Sequence, residues 1–216
     1  MKKTIISALV LLFGAFTTIA SAGVNVGVTG STAALLVDGF EIQKESEKHT
    51  RGDDSTGVEI GSIFAEWDSG NGYVIGLDWV PVSAEMDKRT KAGKTDHAAG
   101  LDVATVQTAD ATFENLMTLY VESQVGDTPV FLKAGLRNVE VSTLESLGTG
   151  ETYGDKDLSG AIVGIGVKHT FNDRLIVKAG TSFSRFETLK LTGTNGNKIE
   201  ADINIVEAQV SLAVSF

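Results

Sequence analysis

From Val206 to its last residue, Phe216, the chain alternates between two kinds of side chain. Val206, Ala208, Val210, Leu212, Val214 and Phe216 share one face, and Glu207, Gln209, Ser211 and Ser215 share the other. A repeat of two is the signature of a β-strand. A wholly apolar face opposite a mostly polar one, ending on an aromatic ring, predicts the closing strand of a transmembrane β-barrel with Phe216 at the membrane interface. The same pattern predicts strands near 24–40, 57–67, 73–84, 111–124, 129–143, 160–171, 174–188 and 199–216.

The connections follow their own rule. Residues 68–72, 125–128 and 172–173 are short and rich in Gly, Asn and Asp, whereas 41–56, 85–110, 144–159 and 189–198 are long and polar. Short and long alternate strictly, as tight periplasmic turns and extended extracellular loops do in an outer-membrane barrel. A Greek-key sandwich has no cause to produce that alternation. The expected fold is all-β: an eight-stranded antiparallel up-and-down transmembrane β-barrel.

Turning the strands so that the charges face inward tests this expectation. Glu66, Asp78, Glu114, Glu122 and Glu207 then share a lumen with Lys133, Arg137, Lys168 and Lys178. Ile63, Ile75, Leu119, Leu132, Val163 and Val177 turn to lipid. Trp67, Tyr73, Phe171 and Phe216 fall near the short turns, and Trp79 and Phe183 near the opposite rim, as aromatic girdles do. Tyr120, Phe131 and Phe186 point inward in this register, which predicts a bulge or a one-residue shift.

The other end adds an address. Met1-Lys2-Lys3, an apolar run from Ile5 to Ile19, and Ala20-Ser21-Ala22 have the form of a secretory signal, predicting a cleaved peptide over 1–22 and a barrel domain over 23–216. The formal charge is −10, an acidic balance that argues against nucleic acid as a partner. With no cysteine there is neither a disulfide framework nor a thiolate metal site.

Ser62-Ile63-Phe64-Ala65-Glu66-Trp67, Tyr73-Val74-Ile75-Gly76-Leu77-Asp78-Trp79-Val80-Pro81 and the terminal Phe216, taken with the signal, eight strands and four long loops, resemble the small outer-membrane barrels of the OmpA/OmpX/opacity type. The likeness spans the barrel and lacks the periplasmic peptidoglycan-binding domain of OmpA, so wall anchoring is not expected. The resemblance implies a Gram-negative outer membrane, with lipid and lipopolysaccharide as surroundings. It also implies periplasmic chaperones and the barrel-assembly machinery as partners in biogenesis. On that resemblance, Val210, Leu212, Val214 and Phe216 form the assembly signal.

Eight strands enclose barely enough space for their own side chains. Buried charges must be paired there or cost several kcal/mol each. The nine lumen charges are therefore expected to form an ion-pair network, read either as a static plug or as a gated path of small conductance. The expected role is structural and surface-exposed, with low-conductance permeation of ions or small solutes, or else adhesion or ligand binding through the outer loops.

Other chemistry is thinly represented. His49 and His97 lie in polar loops, and His169 faces lipid without a nucleophile beside it, so no enzyme, cofactor or metal is expected. Asp53-Asp54 and Asp155 with Asp157 lack the spacing of a calcium loop. Lys88, Arg89, Lys91 and Lys94 form a basic run in an acidic chain, suited to phosphate contacts or to solvent.

Overall fold

The computed structural model describes residues 23–42, 49–82, 84–85, 89–95, 103–146, 152–194 and 196–216. The segment 1–22, Lys88 and His97 lie outside them, as do the side chains of His49, Asp53, Asp54, Arg89, Lys91 and Lys94. The strands are β1 (Gly23–Ile42), β2 (His49–Asp68), β3 (Tyr73–Trp79), β4 (Ala84–Glu85), β5 (Arg89–Thr95) and β6 (Val103–Gln124). They continue as β7 (Val130–Ser146), β8 (Lys156–Phe171), β9 (Leu175–Phe186), β10 (Leu189–Thr192) and β11 (Lys198–Ser215).

Every pairing is antiparallel, and β1 pairs with both β2 and β11, which closes the sheet. β3, β4 and β5 lie along β6, while β9 and β10 lie along β11, so the eleven strands make eight staves. One hydrogen-bonded row starts at Val58 and passes through Ala33, Glu207, Ser182, Gly164, Lys133, Glu122 and Val74. It returns to β2 at Asp68, ten residues from its start. A stagger of that size tilts the strands by roughly 40° and leaves an interior that side chains fill.

The short turns follow their residues. Asn172 and Asp173 both take positive φ (50° and 56°), as a two-residue hairpin of the primed type requires. The longer connections come out shorter than the sequence predicts: β2 begins at His49, β6 at Val103 and β8 at Lys156, and Leu189–Thr192 is strand. Polar residues on the outer face of a strand in water look like loop in a sequence, yet pair their backbones equally well. The predicted third strand is corrected in the other direction, because β3 stops at Trp79, just before Pro81, which has no N–H to offer a ladder.

Tyr120, Phe131 and Phe186 do point inward and are buried, but no register shift lies at any of them. Glycines make the room. A Cβ on Gly76 or Gly135 would collide with Tyr120, one on Gly166 with Phe131, and one on Gly160 with Phe186. The shift sits elsewhere, between Glu114 and Met117, where Asn115 takes φ 55°. This bulge reverses the parity of β6 above it.

Along most staves the polarity of the wall inverts. Near the short turns, apolar side chains such as Val28, Ile63, Leu119, Leu132, Ile165 and Leu212 face outward, and polar ones face in. Farther up, Asp38, Glu59, Asn138, Asp157, Arg185 and Asp202 face outward, and an apolar core fills the interior. That core includes Leu35, Leu116, Val139, Val141, Leu158, Phe186 and Ile203, with Tyr153 folded in from the β7–β8 connection. The lower part is thus dressed for lipid, the upper part for water.

Candidate functional site

The lower lumen holds two polar layers. In the one nearer the short turns, β2, β6 and β9 bring Glu66, Glu122 and Lys178 together, each only 3% exposed. Lys178 Nζ lies 2.5 Å from Glu66 Oε1 and 2.6 Å from Glu122 Oε2. Tyr120 Oη donates to Glu66 Oε1 at 2.7 Å, and Asn25 Nδ2 donates to Glu66 Oε2 at 3.3 Å. Lys133 Nζ stands 3.8 Å above the centre of the Tyr120 ring, a cation–π contact.

The next layer is built around Arg137 and Glu207. Arg137 Nη2 donates to Glu207 Oε2 at 2.8 Å, and its Nε donates to Thr118 Oγ1 at 3.2 Å. Ser31 Oγ donates to Glu207 Oε1 at 3.0 Å, and Ser62 Oγ donates to Asp78 Oδ2 at 2.7 Å. At the short-turn rim Lys168 pairs with Asp68 at 3.4 Å. A cavity of about 40 Å³ beside Glu122, Phe131 and Lys168 has room for roughly one water. Charge-assisted bonds of this kind, made away from solvent, hold a core rigid.

Eight of the nine lumen charges therefore face the interior, and Glu114 is the exception. The bulge at Asn115 brings Phe113 inward against the apolar core and leaves Glu114 opposite Glu140, whose carboxylate accepts from Asn115 Nδ2. Sequence reasoning missed Asn25, Ser31, Ser62, Asp68, Thr118, Tyr120 and Ser182. All but Tyr120 are small or uncharged, or lie at a turn, and only their inward parity could have marked them.

On the outer surface Trp67, Tyr73, Trp79, Phe171 and Phe183 all point away from the lumen, as do Val210, Leu212, Val214 and Phe216. His169 is exposed and meets Phe171 edge to face, with ring centres 4.4 Å apart. Asp155 and Asp157 are both exposed, and among the described residues no group of three or more His, Asp or Glu side chains is placed to hold a metal.

No protein-family model matches this sequence, and no curated protein matches it. Solved structures do. OprG, an outer membrane protein of Pseudomonas aeruginosa, is 12% identical with a TM-score of 0.50, over 91% of this chain and 97% of that one. The outer membrane protease OmpT of Escherichia coli is 13% identical with a TM-score of 0.49, over 94% and 99%. Ail, the attachment invasion locus protein of Yersinia pestis, is 11% identical with a TM-score of 0.41, over 86% and 98%. At such identities the likeness carries the fold and leaves activity open. The chain has the fold of the small eight-stranded outer-membrane β-barrels, with eight staves closed into one antiparallel sheet.

Proposed function

We propose that this barrel is a sealed outer-membrane scaffold that acts at its extracellular rim and does not conduct solutes. The observation that carries the reading is the inversion of the wall. Inside the lipid belt the lumen is filled by ion pairs, and above the belt it is filled by an apolar core. An ion crossing the barrel would have to break the first and then desolvate through the second. The inversion also accounts for strand length. A spanning strand needs about 9–11 residues, whereas β1 and β2 have 20 each, so roughly half of that wall stands in water.

The ion-pair layers then stiffen the part of the barrel that lipid surrounds, and the outer wall carries its connections clear of the membrane. Val210, Leu212, Val214 and Phe216, lipid-facing on the closing strand, suit the assembly signal read by the barrel-assembly machinery.

Single-channel recording of the refolded protein in planar bilayers tests the seal. Wild type should be silent, and so should Glu122→Lys, because the apolar core above the altered layer is untouched. Discrete steps in wild type that change size with Glu122→Lys would overturn the reading and make the barrel a narrow pore.

A further inference from the structure

β1 and β11 close the sheet, and at the short-turn end one row across β2, β1 and β11 reads Glu66, Asn25, Ser215. All three face inward. Asn25 is 1% exposed, and its Nδ2 donates to Glu66 Oε2 at 3.3 Å. Its Oδ1 is buried too, and among the described residues it has no hydrogen-bond partner. Buried polar atoms without partners are rare enough to need a cause.

Gly23 makes a niche beside that atom. The point that a Cβ on Gly23 would take lies 3.2 Å from Ser215 Oγ, 3.9 Å from the main-chain oxygen of Phe216 and 4.0 Å from Asn25 Oδ1. Three oxygens converge there, and only the Ser215 hydroxyl among them can donate. Turning the Asn25 amide over does not help. Its Nδ2 would then face the niche, but its Oδ1 would stand against the Glu66 carboxylate. In either orientation an oxygen is left facing an oxygen.

Charge decides which ligand resolves the conflict. Among the described residues below the apolar core, taking Glu114 from the nine expected lumen charges and adding Asp68 leaves five carboxylates against four cations. The shortfall lies beside Asn25, where Glu66 and Glu122 share the Lys178 ammonium and Lys133 rests on the Tyr120 ring. A water could donate to Asn25 Oδ1, but it would leave a negative charge in excess, which burial penalises. Calcium fits poorly, since it collects about six to eight oxygens with several carboxylates among them. We propose that the niche binds one small monovalent cation, of sodium's size. Asn25 Oδ1, Ser215 Oγ and the Phe216 main-chain oxygen hold it, and Glu66 is the counter-charge nearby. The ion touches both β1 and β11, so it clasps the barrel where the sheet closes.

Urea unfolding of the full barrel from vesicles of zwitterionic lipid tests the proposal, in sodium chloride and in choline chloride at one ionic strength. With sodium at about ten times its dissociation constant, the unfolding constant should be roughly tenfold smaller in sodium than in choline. Gly23→Ala puts a methyl group into the niche and should remove the difference between the salts. Equal midpoints of wild type in both salts would overturn the proposal and leave a water in the niche. A sodium effect that survives Gly23→Ala would overturn it as well, because the ion would then sit elsewhere. Sodium-23 relaxation reads the site without any variant, should Gly23→Ala not fold. Wild type should speed relaxation saturably, at one ion per barrel, and the absence of a saturable effect would sink the proposal.

Discussion

At the scale of single residues, Lys178 is the group on which the lower lumen turns. Its ammonium lies between Glu66 and Glu122, and those two carboxylates have little water to turn to. Lys178→Met leaves both facing each other without their cation, and breaking a buried pair in this way costs about 3–5 kcal/mol. Urea unfolding from lipid vesicles should show that loss. Adding Glu66→Gln and Glu122→Gln should recover much of it, since the uncompensated charges disappear. A single variant as stable as wild type would show that the pairs do not hold the barrel. The charges themselves were legible in the sequence because inward parity collects them. Tyr120 was not: a large aromatic inside a narrow lumen looks out of register until Gly76 and Gly135 are seen to vacate the space it fills.

At the scale of the strand, the informative feature is a change of rule partway up. On β8, Val163, Ile165 and Val167 face lipid, whereas Asp157 and Ser159 on the same face stand above the belt. Arginine should therefore have opposite effects at two positions on one face. Ile165→Arg places a charge against lipid and should cost roughly 2–4 kcal/mol if the position is near the bilayer midplane. Asp157→Arg should cost nothing or stabilise slightly, because Asp157 is paired across the ladder with Glu140 and like charges there repel. Unfolding midpoints of the two variants decide the matter, and equal losses would mean that the belt ends higher than Ser159. The lower halves of the strands were legible because apolar-out and polar-in alternate strongly there. The first part of β2, from His49 to Thr56, was not, since a polar run broken by Gly52 reads as a loop. What makes that stretch a strand is its pairing with β1, which no local pattern reveals.

At the scale of the whole molecule, the inverted wall fixes where the membrane must sit. The chain has two tryptophans, and both point outward. Trp67 lies at the short-turn end of β2, and Trp79 at the far end of β3. If the belt spans the distance between them, the rings mark its two margins, the depth that aromatic girdles favour. Single-tryptophan variants made with Trp67→Phe or Trp79→Phe report each margin alone. In vesicles of lipids brominated at different depths, each remaining tryptophan should be quenched most by bromines close to the headgroups and least by those near the chain ends. Strongest quenching of Trp79 by the deep bromines would carry the membrane past Trp79 and up the wall. The exposed Glu59, Asn138 and Asp157 would then stand against lipid, and the reading of the upper wall as standing in water would fall. Shallow quenching at both positions would leave Glu59, Asn138 and Asp157 above the belt in water, with the apolar core enclosed behind them, as the inversion of the wall requires.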